Sequence, residues 1–154
     1  MSYYFTNDEN LKSEIQKVHV VINNLPFSFY TDNGVFSKRG MDFGTRTLLE
    51  SLNEISGKVL DLGCGYGPIG IYVAKKYNCY VDAVDVNTRA VNLAKKNALL
   101  NKVNSPVPAF TDPIYCSLAI HARFNATTTL LRSSSVSVNP SRKFLKTTPS
   151  YPNF

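Results

Sequence analysis

The sequence predicts an α/β fold: a parallel sheet covered by helices, preceded by a β-hairpin and incomplete in its C-terminal half. Three observations carry this. Short apolar runs alternate with amphipathic runs between residues 58 and 102, and such alternation requires parallel strands joined by crossover helices. Two β-rich runs separated by asparagines lie upstream. A glycine-rich turn joins the first parallel strand to the helix after it, at the edge where open sheets bind ligands.

Each element has its own signal. QKVHVVI (Gln16 to Ile22) and PFSFYT (Pro26 to Thr31) flank Asn23-Asn24-Leu25 and read as an antiparallel hairpin. TDNGVFSKRGMDFGT is a polar, glycine-containing loop. TRTLLESLNEIS places Leu48, Leu49, Leu52 and Ile55 on one helical face, and Gly57 supplies the stop. KVLDL (Lys58 to Leu62) is a short buried strand, and PIGIYVAKKY puts Ile69, Tyr72, Val73 and Tyr77 on one face of a helix. CYVDAV (Cys79 to Val84) is the second parallel strand. NTRAVNLAKKNALLNK opens on an Asn/Thr cap signal and aligns Val91, Ala94 and Ala98.

The chain has 154 residues, of which 44% are hydrophobic, so wholesale disorder is excluded. No apolar stretch is long enough for a membrane helix, and the first residues lack the pattern of a secretory signal. Cys64, Cys79 and Cys116 are too scattered for a disulfide framework or a zinc site. A cytoplasmic protein is expected. The net charge of +6 is compatible with a nucleic-acid partner without requiring one. Composition shifts after Asn104: the last 50 residues hold five Lys+Arg, Asp112 as their sole acid, six of the eight prolines and 14 Ser or Thr. Residues 1–104 read as a hairpin plus an organised ligand-binding half-domain. Residues 105–154 read as a basic Ser/Thr/Pro-rich tail, either disordered or diverted by a frame-shift or truncation.

The chemistry concentrates in VLDLGCGYGPIG, Val59 to Gly70. Gly63, Gly65 and Gly67 permit positive φ and leave room for a ligand against the main chain. Asp61 stands at the strand tip. Asp85 ends the next strand, 20 residues after Gly65, where a carboxylate can accept both hydroxyls of a ribose. Gly65 to Gly70 also satisfies G-x-G-x-x-G, which leaves a nicotinamide dinucleotide, and with it an oxidoreductase, as an alternative. Against that, an acid at Asp61 suits an ammonium group better than a pyrophosphate, and Pro68 removes one amide from the helix start.

The pattern of two hydrophobic residues, Asp61, a hydrophobic residue and alternating glycines resembles motif I of class I S-adenosylmethionine-dependent methyltransferases, which have a Rossmann-like fold. The resemblance implies Asp61 near the methionine amino group, the glycine loop under methionine and ribose, and Asp85 on the ribose. Upstream, Gly34, Val35, Phe36 and Ser37, then Asp42, Gly44, Thr45, Leu48 and Leu49, are similar to a narrower branch. That branch comprises small methyltransferase-domain proteins that modify guanine N2 in small-subunit ribosomal RNA. The match runs from about Phe27 to about Asn104. It implies S-adenosylmethionine as cofactor and ribosomal RNA or the small ribosomal subunit as partner. It also implies cofactor contacts from Asp61, Gly63, Cys64, Gly65, Gly67, Asp85, Val86, Asn87, Phe36, Asp42 and Gly44, and from Asp112 as the remnant of an adenine-side acid. Phe36 and Asp42 could equally be a core aromatic and a helix-cap acid.

The resemblance then departs. The family's Asn-Pro-Pro, which grips the amine to be methylated, occurs nowhere in the chain; Asn139-Pro140 lacks the second proline and the context. No catalytic residue and no metal ligand is therefore assigned. A catalytically incomplete chain is one expectation. A non-catalytic RNA-binding fragment is another, with Lys38, Arg39, Arg46, Arg142, Lys143 and Lys146 as its phosphate contacts.

Overall fold

The structure, a computed structural model, describes residues 11–103 and the backbone of residues 129–132. The hairpin consists of β1 (Gln16–Ile22) and β2 (Leu25–Thr31), paired antiparallel from Gln16 opposite Thr31 to Ile22 opposite Leu25. Its turn is the two residues Asn23 and Asn24, both with positive φ. That twist matches a tight hairpin, and asparagine tolerates it. Leu25 thus belongs to the strand.

Helix α1 (Phe43–Ser51) ends earlier than its apolar spacing predicts. Leu52 turns extended at the helix end, and tertiary bonds replace the missing turns. Tyr77 donates its hydroxyl to the Leu52 carbonyl at 2.7 Å, and the Cys79 thiol reaches the Ile55 carbonyl at 3.3 Å. Gly57, at φ 82°, is not the helix stop but the bend into β3. Then follow β3 (Lys58–Leu62), α2 (Pro68–Tyr77), β4 (Tyr80–Val84) and α3 (Thr88–Leu100), close to the segments the sequence marks.

A further strand, β5 (Thr129–Arg132), lies parallel to β3, from Val59 opposite Thr129 to Leu62 opposite Arg132. No periodicity marks this run, because four residues beside Ser and Thr carry too short a pattern and the partner is distant in sequence. The sheet order is β4-β3-β5. The chain therefore leaves β3 to one side and later returns to the other, which makes the carboxyl end of β3 the switch point where a cleft opens. This is a partial Rossmann-like arrangement.

The hairpin packs onto the front of this unit through aromatics. The Phe27 and Tyr72 rings are 5.7 Å apart, and those of Phe29 and Tyr66 are 5.6 Å apart in an edge-on contact. Ile22, Leu48, Leu49 and Ile69 fill the same core. Burial of each such side chain contributes about 1.5–3 kcal/mol.

Helix α3 also closes the free edge of β2. Tyr30 N donates to Asn97 Oδ1 at 2.6 Å, and Asn97 Nδ2 donates to the Tyr30 carbonyl at 2.9 Å. Ser28 N donates to Asn101 Oδ1 at 3.2 Å, and Asn101 Nδ2 returns to the Ser28 carbonyl at 2.7 Å. Each carboxamide behaves as a strand residue would. The match works because four helical residues rise about 6 Å and two strand residues about 6.8 Å. Among the described residues, no helix is long and apolar enough to cross a membrane.

Candidate functional site

The cleft begins where β3 runs out. Gly63 and Cys64 donate their amides to the Val84 carbonyl at 2.8 and 3.0 Å, which pins the loop to the end of β4. Gly63, Gly65 and Gly67 all have positive φ, at 75°, 55° and 94°. They differ in what surrounds them. A Cβ on Gly63 or Gly65 would project into open space, whereas one on Gly67 would meet Ala94 Cβ at 3.1 Å and Ile71 Cδ1 at 3.0 Å. Gly67 therefore serves the packing of α2 against α3, and Gly63 and Gly65 border an open cradle.

Asp61 is fully buried, at 0% exposure. Its Oδ2 accepts the Gly70 amide at 2.9 Å and so caps α2 from the strand, since Gly67 at the N-cap has no side chain to do it. Gly70 allows this approach, because a Cβ there would lie 3.1 Å from Asp61 Oδ2. Asp61 Oδ1 is buried with no hydrogen-bond partner among the described residues. Burial, with a smaller push from Asp85 and opposed by the Gly70 hydrogen bond, raises the carboxyl from 3.8 to about 7. An orphaned acceptor on a reluctant carboxylate is what a ligand ammonium group satisfies.

Asp85 forms the second wall. Its Oδ2 accepts the Gly65 amide at 2.8 Å, and its Oδ1 accepts the Asn87 amide at 2.9 Å. Each oxygen keeps lone-pair capacity for a hydroxyl donor. Asn87 is the N-cap of α3: its Oδ1 accepts from Arg89 N at 3.0 Å and Ala90 N at 3.3 Å. Its Nδ2 donates to the Gly34 carbonyl at 2.8 Å. Cys64 is buried, and burial first, then Asp61 and Asp85, pushes its thiol upward, so it stays a neutral floor residue. Val86 is half-buried beside Asp85.

In the upstream loop, Asp42 caps α1, with Thr45 N donating to its Oδ1 at 2.9 Å, so the helix-cap reading of Asp42 holds. Gly44 packs on that cap; a Cβ there would sit 3.2 Å from Asp42 Oδ1. Phe36 is 51% exposed and is not a core aromatic. Asp112 lies outside the described residues. So do Arg142, Lys143 and Lys146. Lys38 pairs with Glu14 at 2.7 Å, and Arg46 reaches Glu50 at 3.4 Å and the Val21 carbonyl at 3.0 Å. A phosphate would have to compete for both cations.

The helix start itself disfavours a pyrophosphate. Gly67 N donates to the Cys64 carbonyl at 2.9 Å, Pro68 has no amide, and Gly70 N is spent on Asp61. The dipole end of α2 is thus largely satisfied by the protein's own carboxylate, and an anion there would face Asp61.

Comparison with known proteins agrees with this geometry. The methyltransferase small domain family matches residues 26–126. The chain belongs to that family. Protein YbxB of Bacillus subtilis, described as uncharacterized, is 40% identical over 106 residues, which cover 67% of this chain and 53% of YbxB. Ribosomal RNA small subunit methyltransferase C of Haemophilus influenzae is 39% identical over 93 residues, covering 59% of this chain and 28% of that enzyme. The chain thus spans about half, or less, of the length of these relatives. Among solved structures, the T. thermophilus 16S rRNA N2 methyltransferase RsmC, in complex with AdoMet and guanosine, superposes with a TM-score of 0.59 at 28% identity. That alignment covers 66% of this chain and 29% of RsmC. A SAM-dependent methyltransferase from Agrobacterium tumefaciens gives 0.59 at 17% identity, over 80% of this chain and 41% of its own, and shares the fold.

Sequence reasoning missed the residues that hold the cleft together. Asn97 and Asn101 passed as ordinary helix residues. Arg89, which carries no assignment in the sequence, donates to Asp32 Oδ2 at 3.2 Å, the Asn33 carbonyl at 3.4 Å and the Leu11 carbonyl at 2.7 Å. The available signal was the four-residue spacing of two asparagines on a face that otherwise reads as core.

Proposed function

We propose that this chain binds S-adenosylmethionine and forms the donor half of a methyltransferase acting on guanine N2 of small-subunit ribosomal RNA in the cytoplasm. The observation that carries the cofactor half is the buried Asp61 Oδ1, without a hydrogen-bond partner among the described residues, at the head of a glycine cradle. When bound, S-adenosylmethionine supplies a methyl group on a sulfonium, a good leaving group, so that alignment is the main task left to the protein. Asp61 holds the ammonium. Gly63, Cys64, Gly65 and Gly67 form the floor, Asp85 takes the ribose hydroxyls, and Val86 and Asn87 follow on the same wall. The loop with Phe36, Asp42 and Gly44 closes the near side, and Asp112 is the adenine-side acid. The RNA assignment is supported by the similarity to methyltransferase C and to the T. thermophilus enzyme. The resemblance implies an acceptor-gripping strand that ends in Asn-Pro-Pro, whereas the sequence after Arg132 reads Ser133-Ser134-Ser135.

Two measurements test this. Calorimetric titration should show saturable binding of S-adenosylmethionine and none of NAD, and the reverse overturns the cofactor assignment. Incubation with small ribosomal subunits lacking base methylation, followed by nucleoside mass spectrometry, should yield N2-methylguanosine. A different methylated nucleoside overturns the substrate assignment, and no product while cofactor binds overturns the catalytic competence of this chain.

A further inference from the structure

The cleft is assembled from two parts of the chain that are far apart in sequence, and one side chain joins them. The Asp85 carboxylate links the glycine loop, through Gly65 N at 2.8 Å, to the start of α3, through Asn87 N at 2.9 Å. From there Asn87 Nδ2 reaches across to the Gly34 carbonyl at 2.8 Å. Gly34 opens the segment whose next residues are Val35, buried, and Phe36, half exposed. Two residues along α3, the Arg89 guanidinium grips Asp32 at 3.2 Å, next to the same segment, with Asp32 itself buried. Loop 34–37 is therefore referenced to the proposed ribose-binding wall and not to its own strand alone.

We infer that Asn87 is a positioning residue that fixes loop 34–37 as the outer wall of the nucleoside end of the cleft. The inference rests on the cofactor reading above. It assigns Asn87 an action through Gly34, whose carbonyl accepts from its carboxamide nitrogen while its carboxamide oxygen caps α3. Cofactor affinity then depends on a side chain that acts by holding the loop.

Capping and clasping can be separated. Asn87→Asp keeps a strong N-cap acceptor but has no donor for Gly34, and Asn87→Ser keeps a cap without the reach or the charge. The loop carries its own reporter, since Lys38 and Arg39 are trypsin sites. Both variants should melt within a few degrees of the parent, be cut several-fold faster after Lys38 or Arg39, and bind S-adenosylmethionine about tenfold more weakly, a loss of about 1.4 kcal/mol. Saturating cofactor should slow the cut in the parent. Parent-like affinity, or an unchanged cleavage rate, in the folded variants overturns the inference alone. Loss of the folded state in both would make Asn87 a structural residue and also overturn it. A parent that binds no S-adenosylmethionine overturns the function proposed above, while the cleavage comparison still decides whether Asn87 holds the loop.

Discussion

Lowering the pH from 7.5 to 5.5 should weaken S-adenosylmethionine binding about 25-fold. Asp61 is buried, has one oxygen without a hydrogen-bond partner among the described residues, and burial raises its carboxyl from 3.8 to about 7. Only the ionised carboxylate holds an ammonium well. At pH 7.5 roughly three quarters of ligand-free molecules carry that charge, and at pH 5.5 roughly 3% do, a ratio worth about 1.9 kcal/mol. Affinity therefore rises through about pH 7 and levels off above it. The stability of the ligand-free chain moves the other way. A folded-state value raised above the unfolded one means that folding favours the protonated form. That contribution is complete below the unfolded value of 3.8 and is lost as pH rises through about 7. Asp61→Asn keeps an acceptor for Gly70 N and flattens both curves. It should bind weakly at every pH and gain up to about 4 kcal/mol of stability above pH 7, less the roughly 1–3 kcal/mol cost of burying an unpaired amide. Calorimetry in buffers of differing ionisation enthalpy is the assay, and near pH 6 it should register close to one proton released per ligand bound. Affinity that stays flat across this range, or a slope that survives in Asp61→Asn, would refute the argument.

Four further outcomes are expected. Gly67→Ala places a Cβ 3.1 Å from Ala94 Cβ at a φ of 94°, so it should lower stability by about 2–4 kcal/mol in urea melts. Gly65→Ala meets no protein atom and should cost only about 1–2 kcal/mol of stability, with a much larger loss of cofactor affinity by calorimetry. Asp85→Ala should weaken cofactor binding by roughly 1.5–3 kcal/mol, and an unchanged dissociation constant would remove its ribose role. Asn97→Ala leaves Tyr30 N and the Tyr30 and Tyr66 carbonyls without their partner; a loss of about 3 kcal/mol or more is expected in denaturant titration.

The parallel unit was legible because its signals are local. Val59 to Leu62 and Val81 to Val84 are short apolar runs, and Gly63 to Gly67 breaks one of them just where a helix starts. Asn87 announced its cap by type and position. What was hidden is tertiary. The spacing of Leu52 and Ile55 was sound helical evidence, but Tyr77 and Cys79, more than 20 residues later, compete for their carbonyls. Asp61 was expected to face a ligand, and its second task of capping α2 depends on Gly70 lying against the strand. Asp42 and Phe36 could not be resolved from spacing, since a cap and a cleft residue share the same residue types.

The carboxamide rungs between α3 and β2 make exchange into deuterated water a reporter on docking. The amide protons of Ser28 and Tyr30 are sheltered by side chains of α3 and not by a third strand, so they can leave only when the hairpin lifts off the helix. Asn97 also holds the Tyr66 carbonyl inside the glycine turn. Lift-off and loosening of that turn thus belong to one cooperative opening, and a nucleoside held by the turn should slow proton loss from a hairpin it never touches.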